Sequence, residues 1–455
     1  MGTINNLKIV GINSHLDMKA LEGKSIIELQ DANRAIPVST TRTMPFLKVG
    51  SETFDSNRAW RIMLASIKIA FLSDKINLLL PCGPIAMLVD QLTNCQGWVF
   101  LLSLLGIIPL AERLSWATEQ LVFYTGPTVG SLLNATFGNA TELIISLFAL
   151  KQGMLRLVQQ SLLGSVLSNM LLVLGCALFC GGIANHNKEQ LFNKSNARMN
   201  VGLLLMAVMA ISFPTALHVT QTELDIGTSI LVLSRFSSCI LLVAYGIFII
   251  FQLTNHKQNY APIKEKKNFQ DGSPIGNPGD EEAADISKWE SIIWLGILTI
   301  LISVLSEYLV NAIEGASVAM DVPVTFISVI LLPIVGNAAE HASAIIFAVK
   351  DKLDISLGVA IGSSTQISMF VMPFCVVVGW IIGRPMDLNF EIFETSSLFM
   401  TILLVACILQ EGTSNYLKGL MLLFCYTIVA ASFYVHVDPA SIRELSHLFS
   451  STCHL

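Results

Sequence analysis

Long apolar runs separated by short polar connections fill most of the chain after residue 75. A helix needs about 20 apolar residues to cross a hydrocarbon core about 30 Å thick, and most of the runs reach that length. They predict eleven transmembrane helices, near 76–93, 97–125, 130–151, 157–183, 199–218, 227–253, 289–314, 322–349, 355–382, 390–410 and 415–436. This pattern is typical of an all-α integral membrane protein.

Two of these runs contain a carboxylate among apolar residues. The third run contains the stretch Gly138-Asn139-Ala140-Thr141-Glu142, and the eighth contains Gly336-Asn337-Ala338-Ala339-Glu340-His341. An ionised carboxylate at the bilayer centre costs about 2.5–3.5 kcal/mol even on the lenient insertion scale. Because this cost arises twice in matching contexts, Glu142 and Glu340 indicate a functional site.

The matching contexts extend over five helices. Gly164-Ser165 follows Gly138 by 26 residues, and Gly362-Ser363 follows Gly336 by the same interval. Two glutamates seven residues apart precede each stretch: Glu112 and Glu119 before the first, Glu307 and Glu314 before the second. The two copies therefore form an internal repeat. Since each copy has an odd number of helices, we expect them to be inverted in the membrane, as in many secondary transporters.

The repeats and the polar connections divide the chain into six predicted segments. These are a cytosolic N-terminal tail that is a candidate regulatory segment (1–70), a leading transmembrane helix (71–95), a first five-helix repeat (96–253), an acidic cytosolic linker (254–288), a second five-helix repeat (289–438) and a short C-terminal tail (439–455). The linker combines Gly and Pro with opposite charge blocks, which is typical of disorder. The tail has no apolar core of a cleavable signal peptide.

Composition and charge agree with a polytopic membrane protein. Only 13% of the 455 residues are charged, about half the share of a soluble chain, and the mean hydropathy is +0.65. With a cytosolic N-terminus, 21 Lys and Arg residues lie on the cytosolic side and four on the other, which follows the positive-inside rule. Basic residues are sparse outside the tail, so nucleic acid is not an expected partner. The nine cysteines form no CxxC pair, which disfavours zinc or redox chemistry.

Polar residues on several helices predict a cation site in the interior. Polar residues and glycines recur at three- and four-residue spacing around the glutamates. They are Ser131, Asn134, Gly138, Thr141, Glu142 and Ser146, then Ser161, Ser165, Ser168 and Asn169, and then Ser363 and Gln366 with Gly362. Oxygen ligands with net negative charge suit a hard cation such as Ca²⁺. Gly138 and Gly336 allow a helix to loosen and expose carbonyl oxygens.

Two carboxylates close together in a medium of low dielectric constant cannot both stay ionised without a partner. The pair can hold one divalent ion or protons, and this competition is the elementary requirement of a cation/proton antiporter. His341, next to Glu340, is a candidate for tuning the exchange near neutral pH, with satisfied packing as the alternative. Isolated Ser and Thr often bond their own backbone, Glu112 or Glu307 can lie near a membrane surface, and Arg113 can pair with a carboxylate or snorkel. Glu340-His341 lacks the HExxH spacing, so an enzyme is not expected.

The motifs resemble the signature repeats of the plant and fungal vacuolar Ca²⁺/H⁺ exchangers, the cation/proton-exchanger branch of the Ca²⁺/cation antiporter superfamily. The resemblance rests on 138–151 and on 336–341 followed by Lys350-Asp351-Lys352-Leu353-Asp354, and it extends over about 60–438. It implies eleven helices and a vacuolar membrane location. It also implies Glu142 and Glu340 as metal and proton ligands, carbonyl or amide ligands at Gly138, Asn139, Gly336 and Asn337, and a path lined by Ser165, Ser168, Ser363 and Gln366. Plant members often carry an N-terminal tail that restrains activity.

We therefore expect an antiporter that moves Ca²⁺ from the cytosol into an acidic vacuole in exchange for H⁺. It would work in a lipid bilayer without a cofactor, with a regulatory protein at the tail as a candidate partner. Mn²⁺ is a further candidate substrate, because Cys176-Ala177-Leu178 partly matches a Cys-Ala-Phe triplet in family members that carry Mn²⁺. The alternatives are a Na⁺-coupled exchanger on the same scaffold and a cation channel.

Overall fold

A computed structural model describes residues 75–93, 95–186, 189–223, 225, 228–266 and 286–436. The predicted N-terminal tail, most of the linker and the C-terminal tail lie outside these residues. The described chain is helical almost throughout. Its helices are α1 Cys82–Leu92, α2 Gln96–Phe137, α3 Ala140–Gln152, α4 Leu155–Ala184, α5 Lys194–Thr220, α6 Thr228–Lys266, α7 Lys288–Met320, α8 Val324–Gly336, α9 Ala338–Val349, α10 Leu353–Ile381, α11 Ile392–Leu409 and α12 Tyr416–Val435.

Eight helices within the described ranges are long and apolar enough to cross a membrane, or nine if α8 and α9, which meet at a bend of 57°, form one span. The prediction of an all-α membrane protein is confirmed, whereas the total of eleven spans stays a prediction. The predicted break between 125 and 130 is confirmed. The membrane span that begins at Gln96 ends at Thr125, and a Cβ on Gly130 would lie 2.6 Å from the Val122 side chain, which requires the chain to reverse its direction between these residues.

Helices α4 and α10 lie at the centre of the bundle. Of their most apolar windows, 83% and 72% of the residues are buried, against 17% in α6 and 22% in α12. The peripheral helices expose large apolar side chains, such as Ile250 and Ile428, as lipid-facing helices do. The polar residues of the two central helices are therefore enclosed by protein.

Three helices contain a π-helical segment: Ser168–Val173 in α4, Ile327–Leu331 in α8 and Ile367–Val371 in α10. A π segment re-aims the side chains around it and occurs frequently at functional sites. Those in α4 and α10 begin directly after the Ser165 and Ser363 regions, at matching places of the two sequence copies. Among the described residues the only strands are β1 Gln190–Leu191 and β2 Thr413–Ser414, which pair antiparallel.

Candidate cation site

The two glutamate stretches are helix breaks. Helix α2 ends at Phe137 and α3 begins at Ala140, while α8 ends at Gly336 and α9 begins at Ala338. Glu142 and Glu340 are each the third residue of the helix that follows the break. An interrupted helix leaves carbonyls near its end without partners inside the helix, and such ends coordinate cations in transporters. At the end of α8 the Pro333 carbonyl accepts the Asn337 N–H (3.0 Å). The predicted loosening at Gly138 and Gly336 is thus present in the structure.

A buried hydrogen-bond chain joins the first break to the two central helices. The Asn169 amide nitrogen donates to Ser363 Oγ (3.0 Å), and the Ser363 hydroxyl donates to Asn139 Oδ1 (2.7 Å). Asn139 and Asn169 are each 1% exposed or less. Residues that lie 224 positions apart in sequence, Asn139 and Ser363, therefore meet at one place.

Several polar atoms of this region have no protein partner among the described residues. They are both side-chain atoms of Asn337, Glu340 Oε2, Asn139 Nδ2 and Asn169 Oδ1. A buried polar group without a partner costs about 1–3 kcal/mol, and native proteins avoid it unless water or an ion takes part. Asn337 Oδ1, Asn169 Oδ1 and Glu340 Oε2 are therefore oxygen acceptors that are available to a cation, while the Nδ2 groups of Asn139 and Asn337 are donors that are available to its hydration water.

Glu142 and Glu340 belong to the same site. Glu142 Oε1 lies 3.5 Å from the position that a Cβ on Gly336 would take, so the carboxylate of the first copy reaches the break of the second, four residues before Glu340. Because both stretches begin with glycine, the backbone is open to a close approach on this side. The site thus combines two carboxylates with amide and hydroxyl oxygens, the ligand set of a hard cation.

The two glutamates differ in their access to the outside. Glu340 lines an open cavity of about 780 Å³, together with Glu112, Glu119, Asn139, Asp354 and Ser363. Glu142 lines a pocket of about 10 Å³ with Ser161, Ser165 and Gly336. No Lys or Arg is among the described residues that line the large cavity, so its field attracts cations. We call the end of the bundle at which this cavity opens the cavity face, and the other end the far face.

Two glycines at matching positions of the copies, Gly164 and Gly362, show the same difference between a closed and an open side of the site. A Cβ on Gly164 of α4 would lie 2.1 Å from the carbonyl oxygen of Val329 in α8. Its counterpart Gly362 on α10, 198 residues later, has nothing within 4 Å and lines the cavity. The central helix of the first copy is therefore pressed against its neighbour, whereas the equivalent surface of the second copy is open.

The four auxiliary glutamates separate into two pairs. Glu112 and Glu119 line the cavity, and Glu112 Oε1 accepts a hydrogen bond of 2.9 Å from Arg113, which decides between the two alternatives for this arginine. Glu307 and Glu314 are exposed on α7 and line neither cavity. The reason is the position of α7: Asn311, between them, accepts a hydrogen bond of 2.7 Å from Gln152 at the far-face end of α3.

The remaining predicted residues lie at different distances from the cation site. Gln366 lines the large cavity, and Ser168 Oγ is 3.4 Å from His341 Nε2. Cys176 is half-buried farther along α4 and lines neither cavity. The side chains of Ser131 and Asn134 lie outside the described part of the chain. Asp354, Asn193 and Asn200 also line the cavity, although the sequence did not predict them as site residues. Asp354 belongs to the stretch that carries the resemblance, whereas Asn193 and Asn200 occur near the start of a helix, where polar residues are common.

The similarity to known proteins extends over the helices that form the site. The family model described as sodium/calcium exchanger protein matches residues 96–254 and 290–435. Vacuolar cation/proton exchanger 5 of Arabidopsis thaliana is 65% identical over 377 residues, 83% of this chain and 85% of the relative. Vacuolar cation/proton exchanger 2 of Oryza sativa subsp. japonica is 61% identical over 406 residues, 88% and 92% of the two chains. The crystal structure of the selenium-substituted Ca²⁺/H⁺ antiporter protein YfkE is similar with a TM-score of 0.64 at 35% identity, over 79% of this chain and 99% of that chain.

Proposed function

We propose that this chain, which belongs to the family of vacuolar cation/proton exchangers, moves Ca²⁺ and protons in opposite directions across a vacuolar membrane. The observation that carries the proposal is the convergence of Glu142 and Glu340 with the unpartnered Asn337 amide at two helix breaks. Two carboxylates neutralise one divalent cation, and oxygen ligands at flexible helix ends accommodate its coordination. The names of the similar relatives favour protons over Na⁺ as the counter-ion.

The large cavity faces the cytosol in this proposal. Lys194, Lys350 and Lys418 lie in or beside the connections at the cavity face, and Lys151 and Arg384 lie at the far face. By the positive-inside rule the more basic face is cytosolic. The positive-inside rule also gives a cytosolic N-terminus. The odd number of helices in each copy gives two inverted five-helix repeats, with the leading helix outside them.

Exchange follows from the competition of two occupants for one site. When Glu142 and Glu340 lose their protons to the cytosol through the cavity, their repulsion is relieved by a divalent cation arriving along Glu112 and Glu119. The neutralised site then allows the bundle to close at the cavity face and open at the far face. Protons from an acidic vacuole displace the cation there. The site is then protonated and neutral again, and the bundle returns to the conformation that is open at the cavity face.

Mn²⁺ is a second cation for the same site, because carboxylate and carbonyl oxygens suit it as well as Ca²⁺. Cys176 would act on this choice through the packing of α4 and not as a ligand, since it lines neither cavity.

We also propose the N-terminal tail as the attachment point of a regulatory protein, which would leave the transport machinery of the helices unchanged.

The test is cation uptake into vesicles that contain the purified protein and an imposed pH gradient. We expect Glu142→Gln and Glu340→Gln to abolish pH-driven Ca²⁺ uptake, because glutamine keeps the shape but cannot exchange a proton. Glu411→Gln is the matched control, since Glu411 is exposed in the connection between α11 and α12 and lines neither cavity, and it should keep most of the uptake. Near-normal uptake by either central variant would refute the site. Uptake driven by a Na⁺ gradient, or Ca²⁺ flux that persists after the pH gradient is collapsed, would favour a Na⁺-coupled exchanger or a channel.

A further inference from the structure

The two helices that carry the central carboxylates end in the same way. At the end of α3 the Gly153 and Met154 N–H groups donate to the carbonyls of Leu150 (3.1 Å) and Ala149 (2.9 Å). At the end of α9 the Asp351 and Lys352 N–H groups donate to Ala348 (3.1 Å) and Phe347 (2.9 Å). This is the Schellman arrangement, which needs a left-handed residue, and Gly153 (φ 87°) and Asp351 (φ 59°) supply it.

Each of these helix ends also receives a side chain from the other repeat. Arg384, in the connection after α10, donates from Nη2 to the Lys151 carbonyl of α3 (2.8 Å). Gln190, in the connection after α4, donates from Nε2 to the Ala348 carbonyl of α9 (2.9 Å) and to Asp351 Oδ1 (3.0 Å). The last carbonyls of a helix have no partner within the helix, so these bonds are additional anchors at its end.

Two glycines at matching positions make room for the anchoring connections. A Cβ on Gly181 of α4 would lie 2.6 Å from Gln190 Oε1, and a Cβ on Gly379 of α10 would lie 2.8 Å from Met386 Cβ and 3.3 Å from the Arg384 carbonyl. Gly181 and Gly379 are 198 residues apart, the same offset as the two glutamates. Both copies thus have a helix, a glycine and a folded-back connection that reaches the opposite carboxylate helix.

We propose that Gln190 and Arg384 are positioning residues, which fix the depth of α9 and α3 and thereby the height of Glu340 and Glu142 in the cation site. Each helix is 12 or 13 residues long, so its anchored end lies less than about 20 Å from the break. A packed helix of this length moves as a rigid rod, and a shift at one end is passed to the carboxylate at the other. The anchors differ in chemistry. Gln190 is neutral and 1% exposed, whereas Arg384 places a cation at a helix C-terminus, where the helix dipole favours it.

Hydrogen–deuterium exchange of the purified protein tests the anchors independently of transport. Gln190→Ala should increase exchange in 345–352 and leave 146–153 unchanged, and Arg384→Ala should do the reverse. Lys350→Ala and Lys151→Ala are the matched controls, because they remove an exposed charge at the same helix ends without removing the anchor. Unchanged exchange at the matching helix end in both anchor variants would overturn the proposal. Gln190→Asn and Arg384→Lys are milder variants that serve if either alanine variant fails to fold.

A transport measurement then tests the consequence, which rests on the proposed function because it assumes that Glu142 and Glu340 bind the cation. We expect Gln190→Ala and Arg384→Ala to raise the KM for Ca²⁺ about fivefold, the factor that one hydrogen bond carries, with the maximal rate per folded protein less affected. Arg384→Lys should restore most of the change. A fall in maximal rate with an unchanged KM would indicate a merely structural role and contradict positioning. Absence of uptake by the unmodified protein would instead refute the proposed function, while the exchange result would still stand.

Discussion

Adding one methyl group to Gly164 or to Gly362 should have opposite effects on the conformation of the protein. Gly164 is pressed against the backbone of α8 in this cavity-open conformation, and Gly362 faces the open cavity. If the repeats exchange roles when the far face opens, Gly362 becomes the crowded position and Gly164 the open one. Gly164→Ala should therefore disfavour the cavity-open conformation, and Gly362→Ala should favour it.

The size of the effect follows from the contact at Gly164. The added Cβ would lie 2.1 Å from the Val329 carbonyl oxygen, whereas atoms in contact stay about 3.5 Å apart. The helices would have to separate by about 1 Å, because the atoms concerned belong to the backbone and cannot rotate away. Overpacking of this kind costs about 1–3 kcal/mol, and a backbone contact belongs at the upper end. A cost of about 3 kcal/mol shifts the conformational equilibrium about 100-fold.

The accessibility of the cavity reports this equilibrium. Ser115 lines the cavity on α2, and Ser115→Cys introduces a thiol there with little change in volume. The rate of its reaction with a membrane-impermeant maleimide is read by peptide mass spectrometry, so the native cysteines do not interfere. We expect Gly164→Ala to slow the reaction at least about tenfold and Gly362→Ala to leave it unchanged or faster, with both variants impaired in transport.

The comparison of the two glycines is the control, since the substitutions are chemically identical. Thermal unfolding of both variants shows whether each is folded before it is labelled. We assume that the close contact of Gly164 with Val329 exists in the cavity-open conformation alone. Equal slowing of the labelling by both substitutions would refute this, and so would an unchanged labelling rate in a folded Gly164→Ala variant.

Three further predictions concern the periphery of the site and the ends of the chain. Burial raises the pKa of Asp387, in the connection before α11, so the folded state loses stability as the pH rises from the ordinary carboxyl range through this raised value. Asp387→Asn should therefore raise the melting temperature more at about pH 8 than at about pH 4, and a difference that shrinks with rising pH would contradict this. Excess Mn²⁺ should depress pH-driven Ca²⁺ uptake, and Cys176→Thr should weaken that competition while sparing Ca²⁺ itself; no competition at large excess would remove Mn²⁺ as a substrate. Deletion of residues 2 to about 55 should leave vesicle uptake intact or raise it, and a folded, membrane-inserted truncation without uptake would make the tail part of the machinery.

The repeat made the centre of the site predictable from sequence. Glu142 and Glu340 stand out because burial of a carboxylate is costly, and each copy supports the interpretation of the other. Gly138 and Gly336 predicted the helix breaks, because glycine allows a helix to loosen and both copies have it at the same place. Periodicity also indicated Ser363 on a polar face, although its bond to Asn139 required the two copies to be brought together in space.

The connections were not predictable in the same way. Gln190 and Arg384 are ordinary polar residues in short loops, and only the folded chain brings them to the ends of α9 and α3. The position of Glu307 depends on which face is open, and a sequence pattern that repeats cannot distinguish the two faces.

The inequality of the two spaces beside the glutamates has an electrical consequence. The cavity of about 780 Å³ has room for roughly 25 water molecules, taking about 30 Å³ for each, whereas the pocket of about 10 Å³ beside Glu142 is smaller than the volume of a single water molecule in the liquid. Bulk-like water conducts ions, so a membrane potential hardly falls across the cavity and is concentrated over the thin, dry barrier between Glu142 and the far face. A charge that crosses this barrier gains or loses about 2.3 kcal/mol per 100 mV. Voltage should therefore act on the steps that open and close the far face, and only weakly on the arrival of a cation at Glu340.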